Sequence, residues 1–273
     1  MEGVISSMQG AGDAFVSLPM FPIFEIIHYF KSAMTTRQEP GAREFAIKHP
    51  LSSCVSTLML VNGGTIVCNL LLGLPLGEPL LNPIRIAIET MIWFVVFFCP
   101  GDFVFRFLST LLPKAVIVVF KDLRRLHQVA TGIRVATKLH PNAWALAILA
   151  GTARSSGGSL MVTNDRLMRG AKTANQHEFL KPSYHTKCSF FASCALVALD
   201  QGLFADRLVI PRSVLMLILA LAMITGSLSI VLLGYRDPFC AVSAVILPGA
   251  TEDAADPPAK EPAAKDAQAK KDD

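Results

Sequence analysis

Two glycine pairs, Gly63-Gly64 and Gly157-Gly158, each lie inside a long apolar stretch that begins at a His-Pro dipeptide. The first stretch begins at His49-Pro50 and the second at His140-Pro141, roughly 90 residues further on. Self-similarity at such a long period indicates an internal repeat. Each copy has one apolar span before it and one after it, so the repeating unit holds three spans and its two copies must cross a bilayer in opposite directions. Glycine-interrupted helices at matching positions of inverted halves are typical of a permeation or binding site near the membrane midplane.

The composition places most of the chain in lipid. Apolar residues make up 52% of the sequence and charged residues 17%, whereas soluble proteins are about 25% charged. The mean hydropathy is +0.47. The sequence has no Gly-rich phosphate loop, nucleophile elbow or carboxylate dyad, so we expect neither an enzyme nor a prosthetic group, and no nucleic-acid partner. Six scattered cysteines without a CxxC pair predict small buried side chains rather than disulfides or a metal site.

Seven spans of about 20 residues are predicted from the apolar pattern. They cover residues 13–31, 50–74, 84–109, 112–137, 141–164, 184–200 and 210–234. The predicted fold is an all-α integral membrane protein, built as two inverted three-helix repeats (13–109 and 112–204) and a seventh helix within 205–235. Residues 1–12 form the N-terminus. Residues 236–273 form a tail that is too poor in apolar side chains beyond about 251 to order itself.

The basic residues of the loops predict the orientation. They are concentrated after spans one and five, at Lys31, Arg37, Arg43 and Lys48 and at Arg166, Arg169, Lys172, Lys181 and Lys187. The positive-inside rule puts both loops in the cytosol. The N-terminus is then luminal or outside, and the tail is cytosolic. The tail ends in Lys270-Lys271-Asp272-Asp273, which is similar to the dilysine retrieval signal of endoplasmic-reticulum membrane proteins.

Span four is unusually basic for a membrane helix. At 100° per residue, Lys114, Lys121 and Arg125 fall on one narrow stripe, and Arg124 lies beside it. Basic residues at membrane depth mark pores, charge sensors or bound partners. Three interpretations remain open: lysines that reach the interface with their charged ends, a pocket for an anionic lipid headgroup, and a voltage sensor.

Span five carries Arg154 near its middle, directly before Ser155, Ser156 and the second glycine pair. An arginine at that depth requires water, freed carbonyls or a carboxylate, for which Glu89 and Asp13 are candidates. Glycines that interrupt the helix would expose carbonyls that coordinate cations, and the hydroxyls would keep the site wet. Tight helix packing through small residues is the alternative. Because Arg154 and Gly63-Gly64 accompany Gly157-Gly158, we favour a water-filled pathway.

Motifs in the same order along the chain resemble the TRIC family of trimeric intracellular cation channels. The resemblance covers roughly residues 12–235. The Ala153-Arg154 stretch and the loop at 178–181 look more like the B-type than the A-type. The motifs are Glu39-Pro40-Gly41-Ala42 with His49-Pro50, Leu70-Leu71-Leu72-Gly73, Phe97-Phe98-Cys99-Pro100 with Asp102, Lys121-Asp122-Leu123-Arg124-Arg125, Ala153-Arg154 with Gly157-Gly158, and Arg169-Gly170 with Glu178-Phe179-Leu180-Lys181.

The resemblance implies a homotrimer of the endoplasmic or sarcoplasmic reticulum with one ion pathway in each protomer. It implies a potassium current that offsets charge movement during calcium release, and hence a functional link to calcium-release channels. The family's Lys-Glu-Val-x-Arg motif, which binds phosphatidylinositol 4,5-bisphosphate, falls on Lys121 and Arg125, with Asp122 and Leu123 in place of the Glu and Val. The resemblance also implies a gating role for Arg154.

Other classes of membrane protein remain as alternatives. An inverted-repeat secondary transporter would share the repeats and the broken helices. A lipid-binding scaffold would keep the basic pocket and conduct nothing. A seven-helix receptor is disfavoured by the three-span repeat and by the absence of an Asn-Pro-x-x-Tyr sequence near the last span.

Overall fold

The computed structural model describes residues 2–168, 182–203, 210–234 and 239, and all regular structure in these ranges is helical. Two short 3-10 helices lie at Glu78–Leu81 and Pro100–Asp102. The α-helices of these ranges are α1 (Glu2–Val16), α2 (Ile23–Gln38), α3 (Ala42–Lys48), α4 (Pro50–Leu72), α5 (Pro83–Phe98), α6 (Phe103–Leu108), α7 (Leu111–Leu139), α8 (Trp144–Met168), α9 (Tyr184–Asp200) and α10 (Arg212–Leu233).

Several predicted spans coincide with these helices because their ends carry strong signals. Helix α4 has Pro50 at its first position, where a missing N–H is tolerated, and it ends at Gly73, whose φ of 67° is the left-handed conformation that glycine adopts most readily. Helix α10 ends in the same way at Gly234. Helix α9 matches the predicted span 184–200.

Two predicted spans are wrong as continuous helices. The span 13–31 is divided into α1 and α2, because Pro19 and Pro22 lie in the segment between them and proline cannot continue a helix. The residues expected to form a separate N-terminal segment, 1–12, instead belong to α1 from Glu2 onward. The span 84–109 bends by 90° between α5 and α6, at Pro100 and Gly101.

The number of membrane crossings stays a prediction. Among the described residues, α4 and α10 are long and apolar enough to cross a membrane, and the bent pair α5–α6 would be a third span. Helices α7 and α8 are long enough but not apolar enough to be counted with them, because polar and charged side chains interrupt their apolar faces. The boundaries of the two repeats likewise stay predictions. Parts of the predicted loop after span five and the tail, with Cys240 and the dilysine sequence, lie outside the described residues.

Two apolar clusters hold the helices together. One joins α7, α8, α9 and α10 through buried side chains such as Leu126, Val129 and Leu196. The other joins α2, α3 and α5 through Tyr29, Val96 and others. Helices α4 and α8 make the most extensive contact of any described helix pair. The region between the two clusters, where α4 crosses α8, contains the polar site described next.

Candidate functional site

The two glycine pairs meet at the crossing of α4 and α8. A Cβ atom on Gly63 would lie 2.9 Å from the Gly157 carbonyl oxygen, and one on Gly157 would lie 2.8 Å from the Gly63 carbonyl oxygen. A Cβ on Gly64 would overlap the carbonyl oxygen of Arg154. Both helices run through the glycines without a break. The prediction that the glycines interrupt their helices is therefore wrong; they allow close backbone contact, as small residues do between membrane helices.

A cavity of about 150 Å³ lies beside this crossing, between α2, α4, α7 and α8 and the start of α9. This volume is enough to hold several water molecules. Most of the residues singled out from the sequence line it together. They are Gly64, Lys121, Arg124, Arg125, Arg154, Ser155, Ser156 and Gly158.

Three predicted site residues do not line the cavity. Gly63 and Gly157 lie in the contact between α4 and α8 itself. Lys114 is exposed, about two turns before Lys121 on α7, and does not reach the cavity. Lys121 and Arg125 therefore face the interior of the protomer, while the first member of the predicted basic stripe lies on the outside.

The basic wall of the cavity is contributed largely by α7. Arg124 donates from Nη2 to Glu25 Oε2 at 2.9 Å, and Arg85 Nη2 approaches the same oxygen at 3.4 Å. Arg125 is buried, with its Nε 3.5 Å from Asp122 Oδ1 and its Nη1 3.4 Å from the Ser155 carbonyl oxygen. Among the described lining residues none is a carboxylate, so the acids that balance this wall stand behind it.

Arg154 has a neutral partner. Its Nε donates to Gln128 Oε1 at 3.2 Å, from α8 to α7. Neither of the two candidate acids pairs with it: Glu89 is buried and accepts from Asn62 Nδ2 at 2.9 Å, and Asp13 lines a separate cavity beside α10. The Cys68 thiol of α4 also contacts the Arg154 side chain, so Arg154 is placed in the cavity wall by neutral groups rather than by an ion pair.

The sequence motifs do not include the polar residues that α2 contributes to the cavity. His28, Ser32 and Thr35 line it, and their spacing of four and three residues puts them on one face of the helix. That spacing is the signal that could have found them. His28 is held on that face by its ring, whose Nε2 lies 3.0 Å from the Val61 carbonyl oxygen. Gln128, Ser159, Ser183 and His185 complete the polar lining.

Ion pairs and a hydrogen bond join the helix ends at one side of the cavity. Arg166 on α8 makes a bidentate contact with Glu39 after α2, at 2.9 and 2.8 Å. Ser56 on α4 donates to the buried Asp165 on α8. Asp102 stands at the N-cap position of α6, makes no side-chain capping bond there, and pairs with Arg37 at 2.7 Å.

The structure shows no disulfide among the cysteines it describes, Cys54, Cys68, Cys99, Cys188 and Cys194. Within the described ranges no group of three or more His, Cys, Asp or Glu side chains could hold a metal ion.

A helical membrane protein with a polar cavity between crossing helices is in the class of channels and transporters. Comparison with known proteins assigns the family: this chain belongs to the TRIC channel family, whose model matches residues 39–234. The resemblance drawn from the sequence motifs is confirmed. Members of this family are channels, not enzymes.

Relatives and solved structures agree with this assignment. The chain is 31% identical over 234 residues to trimeric intracellular cation channel type 1B.1 of Caenorhabditis elegans, covering 85% of this chain and 78% of that one. It is 34% identical over 180 residues to the type B channel of Homo sapiens, covering 66% and 62%. A solved trimeric intracellular cation channel from C. elegans, in the absence of Ca2+, superposes with a TM-score of 0.77 at 27% identity, covering 85% of this chain and 99% of that chain. A second solved structure, described as the structural basis for activity of TRIC counter-ion channels in calcium release, superposes with a TM-score of 0.76 at 28% identity. It covers 83% of this chain and 99% of that chain.

Proposed function

We propose that the chain is a monovalent cation channel of intracellular membranes that passes potassium as a counter-ion current during calcium release. The observation that carries the proposal is the cavity: residues of α2 and α4 line it together with residues of α7 and α8, beside the glycine crossing. Family membership supports the same conclusion, because the relatives are named as trimeric intracellular cation channels.

The ion pathway is proposed to lie inside each protomer. Its support is that a single chain supplies every described wall of the cavity, so no interface between copies is required to form it. The serine and threonine hydroxyls of α2 and α8 provide oxygen atoms for a partly hydrated potassium ion. Uninterrupted helices leave fewer free carbonyls for that role than broken helices would.

Arg154 is the proposed gate. It projects from α8 into the wall of the cavity, and a guanidinium there repels a passing cation. Because its hydrogen-bond acceptor is the neutral amide of Gln128, a movement of the guanidinium separates no ion pair. Opening would move Arg154 aside, and a charge that moves through the membrane field makes opening voltage-dependent, by ~2.3 kcal/mol per 100 mV for one full charge.

A phosphoinositide site is proposed on α7, with Lys121 and Arg125 as its main cations and Arg124 and Lys114 beside them. Its support is the cluster of positive charge in a cavity wall that has no described carboxylate facing it. Phosphate oxygens accept strong hydrogen bonds from guanidinium and ammonium groups. Phosphatidylinositol 4,5-bisphosphate would be a bound lipid here, and whether it opens the pathway or stabilises the bundle is a question for the experiment below.

The proposed assembly is a homotrimer in the endoplasmic or sarcoplasmic reticulum membrane. Each protomer would have two inverted three-helix repeats and a seventh helix, with a luminal N-terminus and a cytosolic C-terminus. The names of the relatives support the trimer. The close meeting of Gly63-Gly64 with Gly157-Gly158 supports the repeat, because equivalent positions of the two halves come together.

The test is a planar-bilayer recording of the purified protein under a KCl gradient, with and without phosphatidylinositol 4,5-bisphosphate. We expect discrete openings that reverse near the potassium equilibrium potential. The Lys121→Ala/Arg125→Ala variant should lose the effect of the lipid. The matched control is Arg134→Ala/Lys138→Ala, which removes two exposed cations from the opposite face of the same helix.

Two other functions would give different results. A secondary transporter would show saturable flux with a fixed coupling ratio in place of openings. A lipid-binding scaffold would bind phosphoinositide vesicles through Lys121 and Arg125 without any current. Silence of the inserted and folded protein at all voltages would reject the channel.

A further inference from the structure

Glu25 is a buried carboxylate on α2 that belongs to none of the sequence motifs. Its side chain is 7% exposed, and its Oε2 accepts from Arg124 of α7 at 2.9 Å. Arg85 of α5 approaches the same oxygen at 3.4 Å and donates from Nε to the Tyr29 hydroxyl at 3.2 Å. Glu25 therefore joins three helices through two guanidinium groups, one of which lines the cavity.

The position of Glu25 matters because of the charge of the cavity. Lys121, Arg124, Arg125 and Arg154 all line it, and the described lining contains no acid to balance them. A pathway with four uncompensated cations would exclude potassium and admit chloride, since charges at close range in a low-dielectric wall interact strongly. Cation passage requires carboxylates just behind that wall.

Glu25 also sets where the Arg124 charge sits. The bond to Glu25 holds the guanidinium at its Nη2 end, and the side chain is 14% exposed. A buried carboxylate that binds a guanidinium fixes the geometry of the pair as well as its net charge. Without Glu25, the Arg124 guanidinium would lose this partner and would be free to turn toward the water of the cavity.

We propose that Glu25 is a positioning residue that determines the preference of the pathway for cations over anions, by holding Arg124 against the wall and cancelling its charge. This inference rests on the proposed function, because it concerns which ion the cavity passes. It adds a residue of α2 to a site whose recognised charges all lie on α7 and α8.

The experiment measures reversal potentials and single-channel conductance under a KCl gradient for the wild type, Glu25→Gln, Arg124→Gln and the double variant. Glu25→Gln should lower the potassium-to-chloride permeability ratio and the potassium conductance about two- to tenfold, because one positive charge is uncovered beside the pathway. Arg124→Gln should shift the ratio in the opposite direction. In the double variant, the permeability ratio should return to within about twofold of the wild-type value, since the charge of the wall is again balanced.

Matched controls separate selectivity from folding. Asp200→Asn breaks a more exposed carboxylate–guanidinium pair, Asp200–Arg212 at 2.9 Å, whose residues do not line the cavity, and should leave the ratio unchanged. Glu25→Asp keeps the charge and should stay close to the wild type in selectivity. If Glu25→Gln does not fold, the opposite shift in Arg124→Gln still decides the question.

The outcomes are distinct. Wild-type potassium currents with an unchanged ratio in Glu25→Gln and Arg124→Gln would overturn this inference and leave the proposed function standing. A double variant as impaired as Glu25→Gln would also overturn it, because the defect would then not act through Arg124. Absence of any wild-type current would overturn the proposed function and this inference together.

Discussion

Arg37, in the last turn of α2, and Arg154, within α8, are both helical arginines, yet their surroundings differ completely. Arg37, near the end of α2, is enclosed: Nη2 lies 2.7 Å from Asp102 Oδ1, and Nη1 donates to the Phe97 carbonyl oxygen at 2.8 Å. The rings of Phe97 and Phe105 lie 5.5 and 5.2 Å from its guanidinium carbon, within the range of cation–π attraction. Each of these contacts holds the side chain in one place.

Arg154 lies in the wall of a polar cavity and donates to the neutral Gln128 at 3.2 Å, and it makes no ion pair with any described residue. A guanidinium with a carboxylate, a carbonyl and two rings around it is a structural element. One whose partners are a neutral amide and a thiol, and which borders a cavity that can hold water, has somewhere to move at little energetic penalty. The difference teaches that a position on a helix does not identify a functional arginine, whereas the charge of its partners does.

The largest expected effect is on the enclosed arginine. Asp102→Asn removes the carboxylate and leaves Arg37, whose side chain is 5% exposed, as a buried cation. We expect the free energy of unfolding to fall by about 2–4 kcal/mol, toward the low side for a broken buried pair because Asp102 is itself partly exposed. Asparagine suits this position because the backbone is left-handed there, with φ at 55°. Thermal unfolding in detergent measures the change, and a variant as stable as the wild type would contradict the structural role of the pair.

A smaller loss is expected from Arg37→Lys, which keeps the positive charge. A lysine ammonium lacks the planar fork with which the guanidinium binds the Asp102 carboxylate and the Phe97 carbonyl oxygen at the same time. It also stacks less well between aromatic rings. We expect a destabilisation of about 1–2 kcal/mol in the same unfolding assay. Conducting properties should stay those of the wild type. Altered gating with unchanged stability would reverse the assignment of Arg37.

The sequence contained part of this contrast. The position of each glycine pair inside a long helix, the basic face of α7 and the position of Arg154 in a polar stretch were all predictable, because each depends on residues close together in the chain. A glycine pair alone does not distinguish a broken helix from close packing, since both require the missing side chain. The structure resolves this in favour of packing at both pairs.

The partners of the charged residues were not predictable from one sequence. Gln128 is 26 positions from Arg154, Asp102 is 65 from Arg37 and Glu25 is 99 from Arg124. Such pairs form because helices distant in the chain pack together, and a hydropathy pattern does not specify which faces meet. The division of the first span into α1 and α2 has a local cause in Pro19 and Pro22, and proline's effect on helices could have predicted it.

Arg154→Gln should affect function more than stability. Because no ion pair is lost, we expect a change in unfolding free energy of less than about 1 kcal/mol. Open probability should rise or its voltage dependence should change, because the proposed gating charge is gone. Bilayer recordings measure both quantities. Arg134→Gln, which neutralises an exposed arginine of α7, is the control and should gate as the wild type does. Unchanged gating in Arg154→Gln would remove Arg154 from the proposed mechanism.

The smallest structural effect is expected from Gln128→Glu, which gives Arg154 the kind of partner that Arg37 already has. A carboxylate at the position of the amide oxygen, 3.2 Å from Nε, would add about 0.5–1 kcal/mol to the stability of the state in which Arg154 is held in the cavity wall. If that state is the closed one, open probability should fall by about two- to fivefold, which is the equivalent of that energy.

The change adds negative charge to a cation pathway, so a simple electrostatic attraction of potassium would instead raise the conductance. Recording Gln128→Glu in the Arg154→Gln background separates the two effects, because only the ion pair requires the arginine. A fall in open probability that persists without Arg154 would show that the partner's charge does not restrain the gate, and the contrast between the two arginines would then have no bearing on gating.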